Sequence, residues 1–138
     1  MKAICLTFLL LIGCHKSTDP NVTTFQVKTK PTTNGGAPFY IMTKATDPIS
    51  YRIENYGKIA TQAWEKSDPE ERVKTYFMIP GQKKTITVGA DENRSPAIYF
   101  LFTEPGEEWS YLSRKDGRHK VKIMLGESEI EASSDFEG

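Results

Sequence analysis

His119 is the one histidine beyond the first fifteen residues, and it stands between Arg118 and Lys120. A nucleophilic triad needs a nucleophile, a base and an orienting carboxylate within hydrogen-bond reach. The chain has no Gly-x-Ser-x-Gly turn, and its two cysteines, Cys5 and Cys14, both lie at the start. His119 therefore reads as a surface residue opening a strand. The acidic pairs Glu70-Glu71 and Glu107-Glu108 fall in cap or loop contexts, where solvated charge is the default. Glycoside hydrolysis needs two carboxylates facing one cleft, and nothing in the spacing arranges that. Asn34-Gly35-Gly36 lacks the lysine of a phosphate loop. Asp91, Glu92 and Asn93 lack the spacing of a twelve-residue calcium loop, so a turn is the reading there. The expectation is no catalytic residue, no cofactor and no metal.

Cys14 carries different chemistry. A short basic start, Met1-Lys2, precedes an apolar run over residues 3–12 that ends in Leu11-Ile12-Gly13-Cys14. A run of ten residues, apolar but for Thr7, matches the core of an export signal and is too short to cross a bilayer as a helix. The ending resembles a bacterial lipobox, in which cleavage leaves the cysteine as a lipidated first residue. Residues 1–13 are then a signal peptide, and Cys5 leaves with them. Cys14 would be consumed as a thioether, so no disulfide can form and stability must come from burial. More than one acyl chain makes such anchoring effectively stable. His15 rather than Asp after the cysteine favours outer over inner membrane, by analogy with lipoprotein sorting. Residues 15–22 (HKSTDPNV) are polar and aperiodic, a tether reaching at most roughly 26–29 Å. The sequon-like Asn21-Val22-Thr23 reads as chance.

The body behind this tether must hold any binding surface in place. The whole chain's 138 residues allow one domain, and its Lys+Arg 18 against Asp+Glu 18 argues against a nucleic-acid backbone binder. Apolar alternation or runs, punctuated by Pro and Gly, predict strands at residues 25–27, 39–46, 73–79, 84–88, 96–105, 108–113, 120–125 and 129–132. That pattern is an antiparallel two-sheet β-sandwich. Residues 47–71 break it as a helical insert. Ile49, Ile53, Tyr56, Ala60, Ala63 and Trp64 recur at steps of three and four, with Asp47 as N-cap and Pro48 at the first helical position. Gly57 predicts a break into two short helices, and Ser67-Asp68-Pro69-Glu70 reads as a capping box. In residues 97–102 (AIYFLF), Ile98, Phe100 and Phe102 would fill the core, leaving Tyr99 and Leu101 against the insert or a partner. The strand-built domain spans 23–133, preceded by the lipidated Cys14 and tether over 14–22 and followed by a flexible tail at 134–138.

The order of these features resembles the outer-membrane lipoprotein family of type VI secretion, known as TssJ. The sharpest overlap is the apolar run into Phe102-Thr103-Glu104-Pro105-Gly106, then Trp109 after a short gap. Thr103 and Lys44 stand where the family usually has Arg, and Gly126-Glu127 stands where it has a Gly-Asn turn. The resemblance implies a transthyretin-like sandwich held by lipid on the periplasmic face of the outer membrane. It implies docking to the periplasmic C-terminal region of an inner-membrane core protein resembling TssM. The loop between the first two strands contacts that partner in the family; here it covers residues 30–38, with Lys30, Thr32, Thr33, Asn34, Gly35 and Gly36 as the candidate contacts. A Gly-rich loop on a rigid scaffold suits recognition on independent grounds. A zero net charge predicts modest salt dependence. The alternative is a lipoprotein that inhibits or binds a periplasmic or host hydrolase, though residues 32–36 offer no side chain large enough to plug a cleft.

Overall fold

The computed structural model describes residues 19–113 and 116–137. The apolar run, Cys14 and the tether up to residue 18 lie outside the described residues. Eight strands follow one another: β1 (Asn21–Lys28), β2 (Phe39–Thr46), β3 (Lys74–Met78), β4 (Lys83–Ala90), β5 (Ser95–Leu101), β6 (Ser110–Leu112), β7 (Gly117–Leu125) and β8 (Ile130–Glu137). Two short helices, α1 (Pro48–Ile53) and α2 (Tyr56–Gln62), intervene between β2 and β3. Sheet A has the order β4-β1-β7-β8 and sheet B the order β3-β2-β5-β6. This is the expected mainly β, two-sheet sandwich with a helical insert.

Pairing is antiparallel at every interface but one. β1 lies between β4 and β7, antiparallel to the first and parallel to the second, with Phe25 opposite both Ile86 and Val121. Alternation then sends Phe25, Val27, Ile86, Val88, Val121, Ile123 and Leu125 inward from sheet A. They meet Phe39, Ile41, Met78, Ile98, Phe100 and Phe102 from sheet B. Each such side chain contributes about 1.5–3 kcal/mol when fully buried, and with no disulfide in the described chain this core carries the fold.

β5 is apolar on both faces because both are covered. Its outward residues Ala97 and Tyr99 join Met42, Leu112, Ile59 and Ala63 in a second cluster under the insert. The strand ends at Leu101, short of the expected Pro105, yet the Phe102 ring still closes the inter-sheet core. Tyr99 is thus shielded by the helices.

Asp47 caps α1 through hydrogen bonds from the Ile49 and Ser50 amides, and Pro48 opens the helix. Those bonds, led by Ser50, hold the Asp47 carboxyl below the ordinary carboxylate range. The break between the helices falls at Glu54–Asn55; Gly57 lies inside α2. Asn55 caps the second helix by accepting from the Lys58 amide at 2.9 Å, which resets the helical phase. The continuous face expected from the sequence therefore does not exist. Ile49, Ile53 and Trp64 are 76%, 78% and 62% exposed, whereas Ile59 and Ala63 are buried. Asp68, rather than Ser67, caps the short 3-10 turn at Pro69–Glu71.

β1 begins at Asn21, two residues inside the expected tether, and β8 runs to Glu137, through the expected tail. β8 is an edge strand whose serines and Asp135 give little apolar signal. Its pairing with β7 is what extends it, Asp135 standing opposite Val121.

Candidate functional site

β1 separates two ends of the sandwich by about 25 Å at the usual rise per strand residue. Asn21 organises the end from which the chain's first residues depart. Its side-chain amide donates to the carbonyls of Asp91 and Arg94 at 3.0 and 3.1 Å, and its Oδ1 accepts from the Gly117 amide at 3.1 Å. Both polar atoms of the sequon-like asparagine are thus engaged, and the residue is buried.

The opposite, distal end carries residues 30–38. Asn34 adopts left-handed backbone angles (φ 55°, ψ 36°), and Gly35 and Gly36 follow with φ of 64° and 84°. This is conformational space where glycine is at no disadvantage and asparagine is tolerated. The Asn34 amide donates to the Glu127 carbonyl at 2.6 Å, and Asn34 Oδ1 accepts from the Thr103 amide at 2.8 Å. One residue thus ties the first loop to the β5–β6 and β7–β8 connections. Lys30 forms a salt bridge with Glu131 at 2.7 Å. Thr33 is fully buried, and its Oγ1 accepts from the Lys30 amide at 2.9 Å.

The six candidate contacts consequently divide. Thr32, Gly35 and Gly36 are exposed at the tip, while Thr33 supports the loop from below. Asn34 spends its polar atoms internally, and Lys30 already has an acidic partner. Spacing alone does not separate the exposed members from the buried one, because in a 3-10 turn the inward residue is set by tertiary contacts.

A polar hub beneath the insert is missed by sequence reasoning. Lys44 projects from β2 into the space under α1 and α2 and is 3% exposed. It pairs with Glu54, donates to Gln62 Oε1 at 2.9 Å, lies 3.8 Å from Glu71, and sits 5.6 Å from the centre of the Tyr99 ring. Tyr99 donates to the other Glu54 oxygen at 2.6 Å. Burial, reinforced by Glu54, pushes the Tyr99 phenol far above its ordinary value. A lysine inside an apolar strand was the available signal.

His119 is buried rather than superficial. Its Nε2 faces the Asp116 carbonyl, and its Nδ1 lies 3.6 Å from Asp135 Oδ1. That separation is too long for a hydrogen bond. The two sheets enclose the pair, at 8% and 15% side-chain exposure, which gives a substrate little approach. Among the described residues no three His, Cys, Asp or Glu side chains form a group that could hold a metal ion. Tyr40, Trp64 and Phe77 form an exposed aromatic group on sheet B's outer side, with centroids 4.8 and 5.4 Å from Tyr40.

These features describe a strand-built scaffold with a braced loop at one end and the start of β1 at the other. Residues 40–125 match the family described as the IglE N-terminal domain, well over half of the chain, and the protein belongs to that family. Its fold is that of the TssJ lipoproteins. The type VI secretion lipoprotein TssJ1 from Pseudomonas aeruginosa superposes with a TM-score of 0.64 at 13% identity, covering 86% of this chain and 98% of that one. Lip from Serratia marcescens, a membrane-bound component of the type VI secretion system, gives 0.63 at 12%, covering 80% and 96%. The TssM C-terminal domain from EAEC gives 0.57 at 11%, covering 79% and 94%. Among curated proteins, none matches the sequence.

Proposed function

We propose that this protein is a lipid-anchored, non-enzymatic mooring of a type VI or similar contractile secretion machine. Cys14 is the lipidated residue, residues 1–13 are removed, and the acyl chains hold the protein on the periplasmic face of the outer membrane. The distal loop docks the periplasmic C-terminal region of a TssM-like inner-membrane core protein. Thr32, Gly35 and Gly36 make the contacts, while Thr33, Asn34 and Lys30 hold the loop in shape.

One observation carries this reading. The scaffold shares its fold with type VI secretion lipoproteins, and its braced loop lies at the end of β1 opposite Asn21, the end that leads back to Cys14. A recognition loop about 25 Å from the strand end that leads back to the anchor can act without interfering with it. A loop already fixed by Asn34 and Thr33 also loses less conformational entropy on binding.

The test is cross-linking in cells followed by identification of the captured protein. Recovery of an inner-membrane core protein, lost in a Thr32→Arg variant that still folds, supports the docking. Recovery of a soluble hydrolase at the same loop overturns it. Metabolic labelling with a fatty-acid analogue checks the anchor separately, with Cys14→Ser expected to abolish the label.

A further inference from the structure

The zero net charge of the chain conceals a segregated distribution. Strand register assigns Lys28, Lys83, Arg118, Lys120 and Lys122 to the outer face of sheet A, together with threonines, Gln26, Met124 and Ser134. Among the described residues, register places no Asp or Glu outward on β1, β4 or β7, and the exposed Glu131 at the β8 irregularity is paired with Lys30 at 2.7 Å. Glutamates gather instead on the distal connections, at 104, 107, 108, 127 and 129. Lys28 and Lys83 stand directly opposite one another across β1 and β4. Like charges so placed repel, which costs stability that an anionic surface would restore. Beside them lies a shallow depression of about 560 Å³, bordered by Lys28, Lys83, Lys84 and Lys122.

The chain's path selects the anion. The Asp19 carboxylate occupies the space that a Cβ on Gly89 would need, at 2.3 Å from it, and is clamped there by Arg72 at 2.7 and 2.9 Å. Gly89 faces outward from β4, opposite Val22. Asp19, two residues before β1, therefore lies on the outer side of sheet A. An anchor at Cys14 draws this basic face, and not the insert, toward the bilayer.

We propose that the outer face of sheet A rests on anionic phospholipid headgroups, a contact that builds on the Cys14 anchor proposed above. The acyl chains keep the protein at the membrane, and the basic face sets its attitude there. Juxtamembrane lysines and arginines are attracted to anionic lipid over about a Debye length. The glutamate-rich distal end is repelled by the same surface. The protein then lies on sheet A, with sheet B, the insert and the Tyr40–Trp64–Phe77 group turned toward the aqueous side.

The experiment uses the full lipidated chain in vesicles, with flotation confirming its anchorage. An environment-sensitive fluorophore is placed at Thr85→Cys on the basic face or, as a control, at Thr61→Cys on α2; both positions are exposed. Vesicles are phosphatidylethanolamine alone or with about 30% phosphatidylglycerol. Anionic lipid is expected to slow aqueous quenching at Thr85→Cys by about fivefold, and about 1 M salt is expected to abolish the effect. Thr61→Cys should not respond. Lys28→Gln with Lys83→Gln, a milder change than reversal to Glu, should weaken the protection. Quenching at Thr85→Cys that is indifferent to phosphatidylglycerol overturns the proposal. So does protection by soluble polyglutamate but not by lipid, which would assign the face to an acidic polypeptide. Failure to float marks a failed anchor and is read separately from either result.

Discussion

Tyr99 and Glu54 are joined by a 2.6 Å hydrogen bond that crosses from β5 to the end of α1. Lys44 holds the other oxygen of the same carboxylate from β2. The insert is therefore fastened to sheet B by a buried charge pair as well as by the apolar contacts of Ile59 and Ala63.

Removing one member of that pair should cost much more than removing both. Lys44→Ala leaves Glu54 with no cation at hydrogen-bond distance in a largely enclosed site, and a loss of about 3–5 kcal/mol is expected. Lys44→Met combined with Glu54→Leu should recover most of it. Denaturant titration of the single and double variants measures the coupling, and additive losses would show that the pair does not act as a unit.

The same site sets an alkaline limit. In the native protein the Tyr99 phenol is held well above its ordinary value of 10.0. In the unfolded chain it ionises near that value. Folding stability linked to Tyr99 is thus fully present below about pH 10 and is lost as pH rises beyond it. Tyr56 and Tyr111, both raised by burial, act in the same direction. Ultraviolet titration should show the Tyr99 phenol ionising only as the protein unfolds, and Tyr99→Phe should make the alkaline decline shallower.

Phe100 sits between the sheets with no exposed surface. Phe100→Ala should cost about 3–5 kcal/mol through the cavity it leaves. A calorimetric melt reads this directly, and a loss below about 1 kcal/mol would mean the core collapses around the gap.

The loop should separate shape from contact. Asn34→Ala removes the acceptor for the Thr103 amide and puts alanine at a left-handed position that asparagine tolerates better, so about 1–2 kcal/mol of stability is expected to go. Thr32→Arg adds bulk at an exposed residue and should stay within about 0.5 kcal/mol of the parent. Hydrogen exchange at the Thr103 amide would rise in the first variant and not in the second.

Much of this architecture was legible in the sequence, and the exceptions share a cause. Residues 39–46 read as a strand, and β2 has those bounds, because both its faces are buried and its apolar content is dense. Asp47-Pro48 announced a helix start because capping is chemistry local to a few residues. The break at Asn55 was obscured by Gly57, since a cap outranks a mildly unfavourable residue two positions later. The burial of His119 and Thr33 depends on neighbours far along the chain, Asp135 for one and the loop's docking for the other. The sandwich ends, and with them the division of residues 30–36 into exposed and supporting members, follow from strand pairing. The basic face was hidden by a sum, since equal totals of opposite charge say nothing about how topology distributes them.

The parallel alignment of β1 with β7 sets an order of events. β1 is an interior strand, yet one of its neighbours is made of residues 117–125. Until that segment is available, the opening strand has one open flank and half a core. Such long-range pairing makes for slow folding. A chain ending at residue 116 should be recovered only as aggregate or protease fragments. For a polypeptide threaded through a narrow conduit from its amino end, this delay is useful: sheet A cannot close around β1 before residues 117–125 have passed.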